Sequence, residues 1–437
     1  METAIRISTI KEKLISEFET IKKILFGNVQ LREQAMESFC KQGIPTRKNE
    51  EYKYTPIDSL LKEEFYFSAT KNCSNEQIED LKFLKDAHIA IIENGIFKEG
   101  LSNLENLPKG LTICSLADAA KGNLTDFEKH YAKYADVNAD PLIALNTVMV
   151  KDGVFIHIAK NVIIDKPIHI IHISTAFENT MIHPRNLIVV DENAQAKIIE
   201  SFQTFDSTAR TFSNALTEIV VDKSAVVDHY KIQDENELGC LVNTTQVIQK
   251  KQSVFSTHTF TLSGSLVRNN LTLVLDDEHI ESHLNGLYLT IGNQVVDNHT
   301  VVDHRKPNCN SNELYKGIID GNSTATFNGK IFVRKDAQKT NAFQSNKNIL
   351  LSETGTINTK PQLEIYADDV KCSHGTSTGK LDEDKIFYLR ARGLSTESAK
   401  KLLMHAFASE VVDTIKIEPL REYIEGKIFK TFEYLNS

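Results

Sequence analysis

Residues 367–379 read ADDVKCSHGTSTG, a thiol and an imidazole two positions apart, with acids before them and glycines after. The stretch follows the strand-like QLEIY, and residues two apart on a strand point to the same side. Cys372 and His374 therefore face together, while Lys371 and Ser373 face away. A soft thiolate beside an imidazole is a good donor pair for iron or zinc. The same groups would also suit a nucleophile and its base, or a buried small hydrophobe beside a hydrogen-bonded strand residue. Two ligands do not fill a tetrahedral shell, so as a metal site the pair is incomplete. Its remaining donors must come from elsewhere in the chain or from another chain.

Two other clusters invite the same question. DDEHIESHLNG gathers His279 and His283 with Asp276, Asp277, Glu278 and Glu281, and DNHTVVDHRKPNC holds His299, His304 and Cys309. An HxxxH pair chelates well when a helix brings both imidazoles to one face, but these segments read as strands and loops. On a strand, His279 and His283 share a face about 13 Å apart, too far to hold one ion. Hydrogen bonding at the edge of the fold is the expectation for both clusters. For ATP, NGKI and TGKL carry a Gly-Lys pair, yet the position five before each glycine is Thr324 or His374, and no Ser or Thr follows the lysine. Neither is a phosphate-cradling loop. GxSxG and HExxH are also missing.

The elements that must position these residues change character along the chain. The first 40 residues read as helix, with Ile10, Leu14, Ile15, Phe18, Ile21 and Leu25 forming one apolar stripe. Gly43, Pro45 and Pro56 punctuate the segment that follows, and HIAIIENGIF and GLTICSL then read as strands of a small mixed α/β unit. From about 150 to 370, short β-rich runs such as VFIHI, IHIIHIS, NLIVVD and GLYLTI recur between polar hinges such as DENAQAKI, DKSAVVDH and SETGTINTK. No exact period survives counting, but the recurrence suits a stack of coils, a β-helix whose ends need caps. Helices on both flanks are expected to supply those caps. The expected fold is mainly β: residues 1–140 helical with a small α/β region, 141–380 the parallel β-helix, and 381–437 helical.

In that last region Asp382 is placed to cap EDKIFYLRARG, Gly393 to stop it, and Ser395 to cap the next helix. There Ala399, Leu402, Leu403, Ala406, Phe407, Val411 and Ile415 read as a continuous apolar face. Pro419 opens a third helix, with Leu420, Ile424, Ile428 and Phe429 on one side.

Composition narrows the classes. The 437 residues are 41% hydrophobic and 25% charged, ordinary values for a folded protein and long enough for two or three domains. A net charge of -9 with scattered basic residues argues against a nucleic-acid or anionic-membrane surface. The six cysteines at 40, 73, 114, 240, 309 and 372 form no CxxC pair, so reduced thiols are expected. METAIRISTIKEKLISEF lacks the apolar core of a signal peptide, and no run approaches the roughly 20 apolar residues needed to span a bilayer. The expected location is the cytoplasm.

Residues 314–394, from LYKGIIDGN through ADDVKCSHG to RARGL, closely resemble the C-terminal half of the SufB/SufD family, on its SufD branch, in the SUF iron–sulfur cluster assembly machinery. GIPTRKNEEYKYTPIDSLL, from Gly43 to Leu61, resembles the N-terminal signature of the same family. SufB itself is the poorer match, since its C-terminal motif differs and it is usually longer. The resemblance implies a right-handed parallel β-helix between helical regions, pairing with SufB through the β-helix and binding of the SufC ATPase by the C-terminal helices. It makes the chain a non-catalytic scaffold subunit, with ATP hydrolysed in SufC. His374 then corresponds to a histidine at the SufB interface where a transient iron–sulfur cluster forms, and Cys372 to its neighbouring cysteine, whose role is less defined. Asp382, Phe387, Tyr388, Arg390, Leu402 and Leu403 fall on the expected SufC-docking helices. A reduced flavin is associated with the assembled complex, although no flavin motif stands in this chain, and a homodimer is an option for the isolated chain. Two other classes remain open: a polysaccharide-acting β-helix enzyme using acids such as Asp276, Asp277 and Glu278, and a homodimeric interaction protein with no metal role.

Overall fold

The computed structural model describes residues 2–67, 72–205 and 207–434. Its centre is a parallel β-solenoid of about eight turns, with helices at both chain ends. Each coil contributes one strand to each of two sheets, which are ten-stranded among the described residues. Along one sheet Val226 aligns with Val254, Val254 with Glu281, Glu281 with Asn310, Asn310 with Asn341, and Asn341 with Lys371, so a coil takes 27 to 31 residues. Strand length barely changes; the variation lies in the corners, which is why the sequence shows recurrence without an exact period.

One corner is built the same way in successive coils. Asn161, Asn193, Ser224, Gln252, His279, Asn308 and Lys339 all adopt positive φ. There the backbone turns sharply while its N–H still bonds to the next coil, as from Asn193 to the Lys223 carbonyl, Ser224 to Lys251 and Gln252 to Glu278. The polar hinges of the sequence are these corners, where Asn and Ser tolerate the left-handed region and their neighbours meet solvent.

Strands with both faces covered read as near-continuous apolar runs, and here both are covered. Inward residues such as Ile198, Val227, Phe255, Leu284 and Phe327 fill the lumen. On one outer face, Phe212, Val242 and Leu266 pack against the N-terminal helices Glu2–Ile21, Val29–Gln42 and Pro141–Met149. On the other, Ile199, Tyr230, Phe260, Leu287 and Ile318 pack against the C-terminal helices Thr396–Val412 and Glu418–Tyr434.

Three readings of the sequence change. The strands of the small mixed α/β unit join the solenoid sheets, since His88–Glu93 pairs in parallel with Ile168–Ser174, and Leu111–Ser115 pairs with Val154–Ile158. The first 40 residues form two helices rather than one, because Gly27 at φ 80 breaks the chain and Asn28 caps a new start, while the apolar stripe from Ile10 to Ile21 lies buried on the first. The C-terminal helices do not cap the solenoid but lie along its side, so Leu402 and Phe429, read as members of apolar faces, are solvent-exposed, while Met404, Ala408 and Phe432 turn inward. The strands Thr356–Ile365 and Lys371–Gly379, last in their sheets, keep one edge unpaired.

The N-terminal signature is pinned to the solenoid by a buried charge network. The Arg268 guanidinium donates to the Asp297 carboxylate at 2.7 Å and to the Glu51 carbonyl at 2.7 Å, and lies 4.1 Å over the Tyr52 ring. Tyr52 in turn donates to Asp140 at 2.6 Å. His299 bridges Asp297 at 2.9 Å and Glu51 at 3.2 Å. Burial works against its imidazolium, but the Asp297 carboxylate and the bond to Glu51 hold its pKa above the ordinary 6.5. A raised folded-state pKa means that this contribution is complete below pH 6.5 and is lost as pH rises through the raised value. Hydrogen exchange should therefore show full protection of Glu50–Tyr52 below pH 6.5 and falling protection as pH rises beyond it, after correction for intrinsic rates. A His299→Gln chain should show no such step.

Candidate functional site

The strand Lys371–Gly379 ends its sheet. Its register pairs Cys372 with Ala342 and His374 with Gln344, and Ala342 belongs to the lumen core. Cys372, His374, Thr376 and Thr378 are thus the inward set of the last strand, as two-residue alternation requires. No further coil lies above them. Cys372 is half-buried against the core, and desolvation pushes its thiol pKa up. His374 is exposed and borders a groove of about 390 Å³ shared with His283, Phe343 and Ser373. A thiol and an imidazole therefore stand side by side on an unpaired edge, able to offer two donors to something arriving from outside the chain.

The other candidate clusters disperse. His279 is a corner residue at φ 60, outside the strand Glu281–Thr290, and His283 bonds to Glu281 at 2.8 Å. In the third cluster His299 faces out toward Glu51 and Asp297, while His304 faces the lumen and bonds Ser311 at 2.9 Å. Cys309 is buried, its thiol donating to the Asp277 carbonyl at 3.2 Å. Asp276 pairs with Lys250 at 2.7 Å, so that acidic run is tied into ion pairs along the coils. Among the described residues, no three His, Cys, Asp or Glu side chains are grouped to hold a metal ion.

On the C-terminal helices, Asp382 caps Glu383–Ala391 by accepting from the Asp384 and Lys385 backbone N–H groups, which lowers its pKa. That helix buries only Ile386. Phe387 is 72% exposed, Tyr388 and Arg390 are exposed, and Leu402 on the next helix is 48% exposed, whereas Leu403 is half-buried. Phe387, Tyr388 and Leu402 thus leave large side chains in water on successive helices.

Family comparisons agree with this layout. A family model described as SUF system FeS cluster assembly, SufBD core domain, matches residues 172–407, and one described as SufBD protein N-terminal region matches residues 11–170. The chain belongs to the SufBD family. SufD of Escherichia coli K12 is 31% identical over 399 residues, covering 91% of each chain. A SufBD family protein of Synechocystis is 32% identical over 403 residues, 90% of this chain and 88% of its own, and SufD of Bacillus subtilis 23% identical over 323 residues, 73% and 74%.

The SufBD core match takes in the last strand and the helices through Phe407, so both surfaces described above fall inside it. Two residues of this SufBD chain that motif reading missed are Gln344 and Glu313, buried one and two coils below His374. Their signal was the coil length itself: stepping back 30 and then 31 residues from His374 lands on them.

Thiol chemistry separates the last strand from the coils beneath it. Burial pushes the Cys240 and Cys309 thiols up to about 11, and both are enclosed. Under native conditions iodoacetamide should modify Cys372 well before Cys240 or Cys309, followed by peptide mass spectrometry. Equal rates at the three would contradict an accessible site at Cys372.

Proposed function

We propose that this chain is a scaffold subunit of SUF iron–sulfur cluster assembly in the cytoplasm, pairing edge-on with SufB and carrying the SufC ATPase on its C-terminal helices. The observation that carries the reading is the unpaired last strand with Cys372 and His374 on its lumen side. An exposed strand edge presents a row of free N–H and C=O groups, a ready template for a strand of another chain. A partner docked there would cover the lumen end and place its own donors opposite the imidazole. The nascent cluster is cargo in this reading, held for as long as the two edges stay together.

The chemistry asked of each residue is limited. His374 supplies a neutral imidazole nitrogen, a borderline donor suited to iron. Cys372, with its pKa raised by burial, is a thiol until a cation lowers it, so its contribution follows metal arrival. ATP hydrolysis belongs to the partner, in keeping with the absence of a phosphate-cradling loop from the sequence. Docking of SufC rests on Phe387, Tyr388, Arg390, Leu402 and Leu403, with Asp382 holding the first helix in register. Movement of the bound ATPase would then shift the helices against the sheet they cover and reshape the edge where His374 sits. A reduced flavin, where one is held, is a property of the assembled complex, and self-pairing of the free edge is the expected behaviour of the chain alone.

His374→Ala should leave the complex with SufB and SufC assembled, since the side chain is exposed, but should strongly reduce cluster formation. Co-expression, sizing and anaerobic iron and sulfide determination would read both effects. Wild-type iron and sulfide in the variant complex would remove His374 from the ligand role.

A further inference from the structure

Beneath the last strand the lumen carries a column in register: Glu313 aligns with Gln344, and Gln344 with His374. The lower two are 5% and 3% exposed. The Gln344 amide nitrogen donates to one Glu313 carboxylate oxygen at 2.7 Å. While Glu313 is ionised, as at the pH of the test below, that bond fixes which end of the carboxamide faces down, because the reversed orientation would set its oxygen against another acceptor. The Gln344 carbonyl oxygen is buried and has no partner. A buried acceptor left in that state costs roughly 1–3 kcal/mol, so it needs a reason.

The surroundings hold this carboxamide in place. Gly329 faces it from the opposite sheet, and a Cβ there would come 2.2 Å from the Gln344 amide nitrogen, so glycine leaves the carboxamide its space. Burial pushes the Glu313 carboxyl up to about 7, partly offset by donors from Thr300 and Gln344. Gln344 sits one coil below the open end and Glu313 two, and the next inward side chain in the column is the His374 imidazole.

We propose that Gln344 is the positioning residue of His374: its unpartnered carbonyl oxygen accepts one ring N–H of the imidazole and leaves the other ring nitrogen, with its lone pair, directed to the unpaired edge. Glu313 acts one layer further down, by holding the Gln344 amide nitrogen and so keeping the carbonyl available. An imidazole that offers a lone pair to a metal commonly has its other nitrogen fixed by a hydrogen bond of this kind. The inference deepens the ligand reading of His374 and rests on it.

The test uses the full chain without partners, so it does not depend on cluster assembly. With histidine labelled by nitrogen-15 and the signal assigned through His374→Ala, the ring nitrogen shifts at a pH of about 8, above the ordinary imidazole range, report the tautomer ratio. Wild type should show one tautomer in large excess. Gln344→Met, which keeps the length but removes the acceptor, should move the ratio to that of free histidine. The double variant Glu313→Gln with Gln344→Glu restores a donor below and an acceptor above, and should return the ratio toward wild type. A purely structural role for Gln344 would leave the ratio untouched in a folded Gln344→Met chain, which would overturn the proposal. Should that variant fail to fold, wild type decides alone: a ratio equal to that of free histidine overturns it, and a single tautomer upholds it. If iron and sulfide loading proves independent of His374 while the tautomer result holds, the ligand reading falls and the contact stands.

Discussion

A parallel hydrogen-bond ladder is satisfied only while another strand follows, and in this chain it stops at Lys371–Gly379 with nothing beyond. Between its ends each coil is paired above and below; the sheets stop at the short strands Ile96–Phe97 and Leu111–Ser115 at one end and at the full-length strands Thr356–Ile365 and Lys371–Gly379 at the other. Helices could have been folded over it. They are instead committed to the two outer faces, where apolar residues of both sheets would otherwise meet water. The placement of the helices and the openness of the last coil are thus one constraint: a solenoid that covers both flanks with its own helices leaves its end for another surface.

The same constraint sorts the chemical groups. Inside the stack, polar side chains are matched to one another, as where Asn186 donates to Glu200 at 2.8 Å and His229 meets Glu200 at 2.9 Å. Burial in the stack drives imidazoles toward the neutral form, to about 3 at His169 and about 4 at His172 and His304. Such groups are fixed in one state and unreachable. At the last strand the environment is split, with core on one side and solvent on the other, so Cys372 feels part of the desolvation and His374 faces out of the stack. The proposed role of the pair, to receive an external ion and then release it, calls for an intermediate setting of this kind.

Much of this was legible in the sequence because the features are local. Strands such as Val154–Ile158 and Ile168–Ser174 coincide with the runs VFIHI and IHIIHIS, and the caps at Asp382 and Ser395 follow from side-chain oxygens placed before apolar runs. The pairing of Cys372 with His374 on one face needed only two-residue alternation. What stayed hidden depends on contacts between distant coils. The HxxxH spacing of His279 and His283 suggested a shared face, but His279 is a left-handed corner, and nothing in its neighbours distinguishes a corner from a strand start. Leu402 and Met404 are both apolar and two apart, so which one meets the sheet depends on how the helix rolls against Ile318 and Leu287. Glu313 and Gln344 carry no motif at all, and only the coil length relates them to His374.

The network around Arg268 bears on how the open end can work. A buried ion pair is weak as a source of stability but strong as a constraint, because separating its partners strands a charge in a dry site. Arg268, Asp297 and His299 tie the segment around Glu51 and Tyr52 to strands only a few coils below the last one. Lys360 on the final strand of that sheet reaches the same segment through Glu50. The N-terminal signature therefore reaches one terminal strand from outside, while the Glu313–Gln344 pair ties together the two strands beneath the other, inside the lumen. A fixed register in the coils beneath the open end is what pairing with a second chain requires if Cys372 and His374 are to meet the same opposing groups each time.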